Sequence, residues 1–294
     1  MKVSANGLQF EVDDQGPTGG EPVLLIMGLG MQLVAWPDEL VQDLVARGFR
    51  VIRFDNRDIG LSQHLDEHGA PNLAWAGMRF AMHLRVRSPY ALADMAADAL
   101  GVLDALGIAR AHVCGASMGG MIAQHLAASS PDRVRSLTLM MTTAGARHLP
   151  QPAMHVRQAM LRRPQGSDVG AIVAHLTRLL QVIGSPGYAP DPARLQQRLL
   201  ATVQRSWHPM GTARQLLAIM ADGDRTPLLG RIAVPTAVIH GEADPLVPVE
   251  AGRHLLAHIA GAEGDFIPGM GHDLPLALLP RFAATIAENA ARAR

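Results

Sequence analysis

The 294-residue chain is expected to fold as an α/β architecture around a mostly parallel sheet, with a block of helices inserted late in the chain. Three observations predict it. Short, continuously apolar runs such as PVLLIM, VIRF, AHVCGA and TAVI alternate with longer stretches of helical spacing, the pattern of strands covered on both faces by crossover helices. That alternation stops at about residue 146 and resumes at about 231. A hydrophobic content of 48% is enough to bury a core of that size.

Taken in order, VSANGLQFEVDD contains two alternating runs around Asn6-Gly7, a hairpin signal because both turn residues tolerate positive φ. PVLLIMG is a third strand, WPDELVQDLVARG a helix that stops at glycine, and RVIRFD a fourth strand, which makes a βαβ unit. A helix in YALADMAADALGVLDALG, a strand in AHVCGAS, a helix in MGGMIAQHLAAS closed by Ser-Pro, and a sixth strand in RVRSLTLMMT follow. Within residues 146–230, AIVAHLTRLLQVIG and PARLQQRLLATVQRSW have helical spacing between Pro and Gly breaks, so this segment is expected to be a helical cap. TAVIHGEAD, VEAGRHLLAHIAG, GDFIPG and an amphipathic helix from about Leu274 complete eight strands. Residues 1–145 and 231–294 are then the core domain.

Charge narrows the partners. The 26 basic and 26 acidic residues cancel, so the net charge draws the chain neither to nucleic acid nor to a membrane, and a small uncharged molecule is the expected partner. The N-terminal MKVSANGLQFEVDD has no apolar signal core, no segment reaches spanning length, and Cys114 has no second cysteine to pair with, so a cytoplasmic location is expected. Monomer and homodimer both remain open. Lys2 is the only lysine, which disfavours Schiff-base and P-loop chemistry. His64 and His68, like His254 and His258, stand four apart without the HExxH form or a third ligand close in sequence, so both pairs are read as solvated and neither a metal nor a cofactor is expected.

The chemistry-bearing stretch is HVCGASMGG. Gly115-Ala116-Ser117-Met118-Gly119 has the G-x-S-x-G form between a strand and a helix. In such an elbow the glycines remove Cβ atoms that would clash, and the serine occupies a strained turn that projects its hydroxyl from the strand end. The N–H of Met118, at the start of the helix, is free to bind an oxyanion. A serine in this place also fits a plain helix cap, so the motif needs partners. A serine nucleophile requires a base, and the base an acid to hold its tautomer. Asp244 follows the strand TAVIHG in a turn closed by Pro245, with Glu242 a weaker substitute close to the strand. Of 13 histidines, His272 alone lies in a glycine-rich loop, IPGMGHDLP, after the last strand. Ser117, Asp244, His272 is the chain order of one fold family.

With those motifs in hand, the chain resembles an α/β-hydrolase over nearly its whole length, and is similar in particular to small serine esterases of the aclacinomycin methylesterase-like branch, through LLIMGLG, AWPDEL, VIRFDNRDIGLS, GASMGG and IPGMGHDLP. The resemblance implies an eight-stranded, mostly parallel sheet with flanking helices, an inserted helical cap, and a second oxyanion donor in the main-chain N–H of Leu29. Met27 stands where many relatives have histidine, and Asp58 where many have glycine.

Carboxylic ester hydrolysis through an acyl-enzyme is the function this implies, with a small-molecule ester as substrate. Serine-triad carbon–carbon hydrolases, cofactor-free perhydrolases and acyltransferases share the same residues. A non-catalytic receptor on the same fold is a second class, and a dinucleotide oxidoreductase a third, since GLGMQL follows a strand and Asp55 ends the next. Met27, Met31, Met118, Met121 and Met270 lie near the proposed centre in sequence, where flexible thioethers suit an adaptable acyl pocket. Trp207 and His208, in RSWHPMG, are expected to line the pocket from the cap; Met27, Met31 and Met270 complete the expected substrate-binding set.

Overall fold

The computed structural model of the protein describes residues 1–293. β1 (Lys2–Ala5) turns into β2 (Leu8–Gln15) through Asn6 and Gly7, both left-handed at φ 46° and 77°. Ala5 faces Leu8 across the turn, the two-residue loop that an Asn-Gly pair favours. β3 (Glu21–Ile26), β4 (Phe49–Phe54), β5 (Ala111–Ala116), β6 (Val134–Met140), β7 (Thr236–Gly241) and β8 (Glu263–Ile267) complete one sheet, ordered β1-β2-β4-β3-β5-β6-β7-β8. β1 with β2 and β2 with β4 are antiparallel, and every other pairing is parallel.

The core helices are α1 (Asp38–Ala46), α2 (Leu73–Ala81), α3 (Leu92–Ala105) and α4 (Met118–Ser129). Between β6 and β7 come α5 (Met154–Leu161), α6 (Val169–Ile183), α7 (Pro192–Arg205), α8 (Pro209–Asp222) and α9 (Thr226–Leu229). The chain ends in α10 (Glu250–His258) and α11 (Leu279–Ala291). On one face of the sheet Leu24, Ile26, Val113 and Val238 pack with Met95, Ile122, Leu126 and Leu255 of α3, α4 and α10. On the other, Val23, Leu25, Cys114 and Ile239 pack with Leu40, Leu44, Phe282 and Ile286 of α1 and α11. Successive residues of β3 thus serve opposite layers, which is why the run is apolar at every position rather than alternating. Each fully buried Leu or Ile contributes about 1.5–3 kcal/mol of transfer free energy. α11 shows the helical counterpart, with Phe282, Ile286 and Ala290 buried in one stripe and Pro280 in its first turn, where a missing N–H costs no intrahelical bond.

The inserted helices are held in two ways. α6 and α7 share a small core of Ile172, Val173, Leu199 and Val203, and each starts at an aspartate cap, Asp168 on the Ala171 N–H and Asp191 on the Arg194 N–H, worth about 1 kcal/mol apiece. α8 is bolted to the sheet side by charge. Arg214 meets Asp58 at 2.7 Å with both side chains buried. Asp58 sits at φ 71°, a conformation that glycine adopts without strain, but its carboxylate also accepts from the Leu65 N–H and the Tyr90 hydroxyl. Burial alone would push the Asp58 carboxyl up; the Arg214 bond, the Leu65 N–H and Tyr90 together hold it below the usual range. Among the described residues no helix is long and apolar enough to cross a membrane.

Candidate active site

Ser117 ends β5 and opens α4 at φ 55°, ψ −119°, a conformation that costs about 1–3 kcal/mol and persists only where the surroundings over-determine it. They do so here. The Ser117 N–H donates to the Met140 carbonyl, and the Ser117 carbonyl accepts from Thr142 Oγ1 at 2.6 Å and from the Gly120 N–H at 3.0 Å. A Cβ on Gly119 would collide with the Ile26 carbonyl, and one on Gly115 with the Gly119 carbonyl. The serine side chain makes no capping bond to α4, so it does not serve as the helix cap that the motif alone also allowed.

Its Oγ lies instead 3.0 Å from His272 Nε2, and His272 Nδ1 lies 2.7 Å from Asp244 Oδ2. The other Asp244 oxygen accepts the N–H groups of Leu246 and Val247 at 2.9 and 2.8 Å, so the buried carboxylate is held by its own turn. Behind it His240, fully buried, hydrogen-bonds the Val247 carbonyl through Nε2. Burial lowers the His240 pKa, which favours a neutral imidazole behind Asp244. Glu242 is exposed, its side chain within 4.0 Å of Arg253. The His272 loop is clasped by the end of α6: the His272 N–H donates to the Ile183 carbonyl at 2.7 Å, the Gly271 N–H to Ser185 Oγ at 2.8 Å, and Ser185 Oγ–H to Asp273.

The loop after β3 brings the Gly28 backbone beside the serine. A Cβ on Gly28 would sit 3.1 Å from Ser117 Cβ, so any larger residue would crowd the serine and push the main chain back. The Gly30 N–H is taken by Gln215 Oε1 at 2.9 Å, and Gln215 Nε2 donates to the Arg57 carbonyl at 2.8 Å. The Asn56 side chain donates to the Met27 carbonyl at 2.9 Å. Gln215, Asn56 and the 183–185 clasp escape sequence reasoning, because pairings between distant segments leave no local periodicity.

Over Ser117 and His272 opens a cavity of about 930 Å³, walled by core and inserted helices together and lined mainly by apolar side chains. Met27, Met31, Met121, Trp207 and His208 are among the residues that line it. Trp207 is 38% exposed and takes no part in the α6–α7 core. Met270 does not line the cavity, which corrects its expected place. Its backbone is pressed onto the end of β7, where the Ala243 N–H donates to its carbonyl, and its side chain is buried in the layer beneath the sheet with α11. Met118, next to Ser117 at the start of α4, likewise buries its side chain in the core. Arg198 of α7 lines the cavity too; burial, together with neighbouring Arg194, lowers its pKa against the pull of Glu39 and Asp38.

Two sequence readings change. His254 is buried, 2.9 Å from Thr226 Oγ1, rather than solvated. His64 does gain company, since it, Asp66 and His208 bring three possible ligand atoms within 4.8 Å of one another. However, the His64 and His208 rings are stacked at 3.8 Å and 7°, so no one position lies in the plane of both lone pairs, and Arg214 already occupies Asp66. Asp55, the acid a dinucleotide site would need for a ribose, is filled by the N–H groups of Leu33 and Leu61 and by Arg205 at 2.7 Å.

The chain belongs to the alpha/beta hydrolase fold family, whose model matches residues 21–276. Among curated proteins it is similar to the rhodomycin D methylesterase DnrP of Streptomyces peucetius, 32% identical over 92% of this chain and 91% of that protein. It is also similar to a 2-hydroxy-6-oxononadienedioate/2-hydroxy-6-oxononatrienedioate hydrolase of Paraburkholderia xenovorans (strain LB400), 30% identical over 92% of this chain and 87% of that protein. Among solved structures, the meta-cleavage product hydrolase of Pseudomonas fluorescens IP01 superposes with a TM-score of 0.76 over 100% of this chain and 98% of that one, at 20% identity, a likeness of fold.

Proposed function

We propose that the protein is a carboxylic ester hydrolase of the methylesterase type, acting through an acyl-enzyme on Ser117, with His272 as base and Asp244 as its orienting acid. The observation that carries this reading is the unbroken line from Ser117 Oγ to His272 Nε2 and from His272 Nδ1 to Asp244, placed at the floor of the apolar cavity. His272 takes the serine proton as Oγ attacks the ester carbonyl, and the Leu29 and Met118 N–H groups bind the oxyanion. The imidazolium then protonates the departing alcohol, and water repeats the sequence on the acyl-enzyme. Residues 146–230 act as the cap that walls the cavity and excludes water. The methylesterase relatives support a methyl ester, and the large, mainly apolar cavity supports a bulky apolar acid portion filling it.

Arg198 favours one second reading. It lines the cavity with only a long contact, 3.5 Å to the Ala35 carbonyl, and pairs with no carboxylate among the described residues. A substrate carboxylate would suit it, as in carbon–carbon bond cleavage of a dioate like that in the name of the Paraburkholderia relative. Parallel assays of neutral methyl esters and of a ring-fission dioate separate the two. Turnover of the esters at least tenfold faster supports the esterase, and the reverse order supports the second reading.

A further inference from the structure

Net neutrality averages over an uneven surface. The chain has no Asp or Glu between Glu67 and Asp94, and none between Asp132 and Asp168. Of the nine arginines in those two stretches, Arg133 and Arg135 pair with Asp104 and Glu21, whereas Arg79, Arg85, Arg87, Arg147, Arg157, Arg162 and Arg163 form no ion pair with a carboxylate among the described residues. The same stretches hold seven exposed large hydrophobics: Trp75, Met78, Phe80, Met82, Leu84, Met154 and Leu161. α2 buries only Ala76 fully and packs Leu73 against Val86 and Leu217, while Trp75, Met78 and Phe80 face outward. The stretches meet where Arg147 stacks over the Phe80 ring at 5.2 Å and hydrogen-bonds His83. Phe80, His83, Arg147 and Arg157 line the rim of the substrate cavity.

We infer that this basic, apolar face docks the protein on an anionic lipid surface with the cavity rim turned toward the bilayer. Exposed Trp, Phe, Met and Leu interleaved with arginine match the two layers of a lipid interface, acyl boundary and anionic headgroup, at one depth. A nucleic acid would satisfy the arginines and leave the apolar side chains in water. A second copy of the chain docked by its own symmetric patch would set arginine against arginine. The arginines act at the interface and need no helix to span it. Lipid binding of this kind is independent of the proposed ester chemistry, and it offers apolar substrates a path from the bilayer into the cavity.

Vesicle co-sedimentation tests this directly on the whole protein. With phosphatidylcholine vesicles containing about 30% phosphatidylglycerol the protein is expected to pellet, and with pure phosphatidylcholine to bind at least about tenfold more weakly. About 0.5 M NaCl should weaken the anionic-vesicle binding to a similar degree. The double variants Trp75→Ser with Met82→Ser, and Arg162→Glu with Arg163→Glu, should each lose at least about tenfold in vesicle affinity while hydrolysing a small soluble acetate ester at the wild-type rate. Ser117→Ala should bind vesicles as the wild type does, so failure of the esterase reading and failure of this one are told apart. No vesicle binding, equal binding to neutral and anionic vesicles, or variants that pellet like the wild type would overturn the inference. So would a dimer in sedimentation velocity that both double variants dissociate.

Discussion

Gly30 and Gln215 join the loop after β3 to helix α8: the Gly30 N–H donates at 2.9 Å to Oε1 of Gln215, a glutamine with no solvent exposure. The neighbouring Leu29 N–H is the proposed oxyanion donor, so Gln215 sets its aim without touching substrate. Replacing Gln215 with leucine should lower kcat by about 10- to 100-fold, since a displaced donor loses part of what a deleted one would. KM should move less than about threefold, because the interaction strengthens mainly in the transition state. Steady-state kinetics alongside a melting curve checks this; a fall in stability with unchanged kcat would reduce Gln215 to a packing role.

The acid is a choice between two neighbours. Asp244→Asn should cost up to about 10⁴-fold in kcat, because the amide favours the wrong imidazole tautomer. Glu242→Gln should stay within about twofold of the wild type, its side chain being exposed beside Arg253 and any pairing there weak. Kinetics of the two single variants on one ester decides it, and the opposite ranking would move the acid to Glu242.

Asp58 and Arg214 tie α8 to the core through a fully buried pair. Removing one partner strands the other charge, so Asp58→Ala should destabilise the fold by about 3–5 kcal/mol. The folded Asp58 pKa lies below its ordinary 3.8. The pair's contribution is therefore complete above about pH 4 and is lost as pH falls through the folded value. Denaturant unfolding between neutral pH and about pH 3 should show wild-type stability falling more steeply than that of Asp58→Asn. Parallel curves would separate Asp58 from acid stability.

Trp207 stands at the cavity wall, outside the α6–α7 core. Trp207→Ala should therefore reduce kcat/KM for a bulky methyl ester by about tenfold or more, the scale of losing one large aromatic contact, and for a minimal acetate ester by less than about twofold. Equal losses on both substrates would assign Trp207 a structural role.

The parts of this protein that announce themselves in sequence are those whose reasons are local. Gly115 and Gly119 are glycine because carbonyl groups crowd their Cβ positions, and Asn6-Gly7 because both residues have positive φ; either requirement leaves a mark on two or three adjacent residues. Ser117, Asp244 and His272 sit at strand ends that hydrophobic runs delimit, so their meeting follows from strand order. Gln215 lies in α8 and Ser185 in the loop just past α6, and their partners Gly30 and Gly271 are far away in the chain, so nothing nearby marks them. Met270 misleads for a related reason. Two residues before His272 it shares the loop, but the Ala243 N–H on its carbonyl turns its side chain to the opposite layer. α2 lacks the one-sided stripe that identifies a helix packed on a core, because most of its apolar residues face outward.

The central claim is that Ser117 is the nucleophile, and covalent labelling tests it most directly. Intact-mass analysis after treatment with a serine-directed phosphonate, followed by peptide mapping, should find one adduct per chain on Ser117, with esterase activity falling in proportion to labelling. Ser117→Ala should stay folded, take no adduct and lose about 10⁶-fold in kcat, as expected when the three groups act as a unit. An adduct on another residue, full activity after complete labelling of Ser117, or a folded Ser117→Ala that keeps a tenth or so of wild-type turnover would contradict the account.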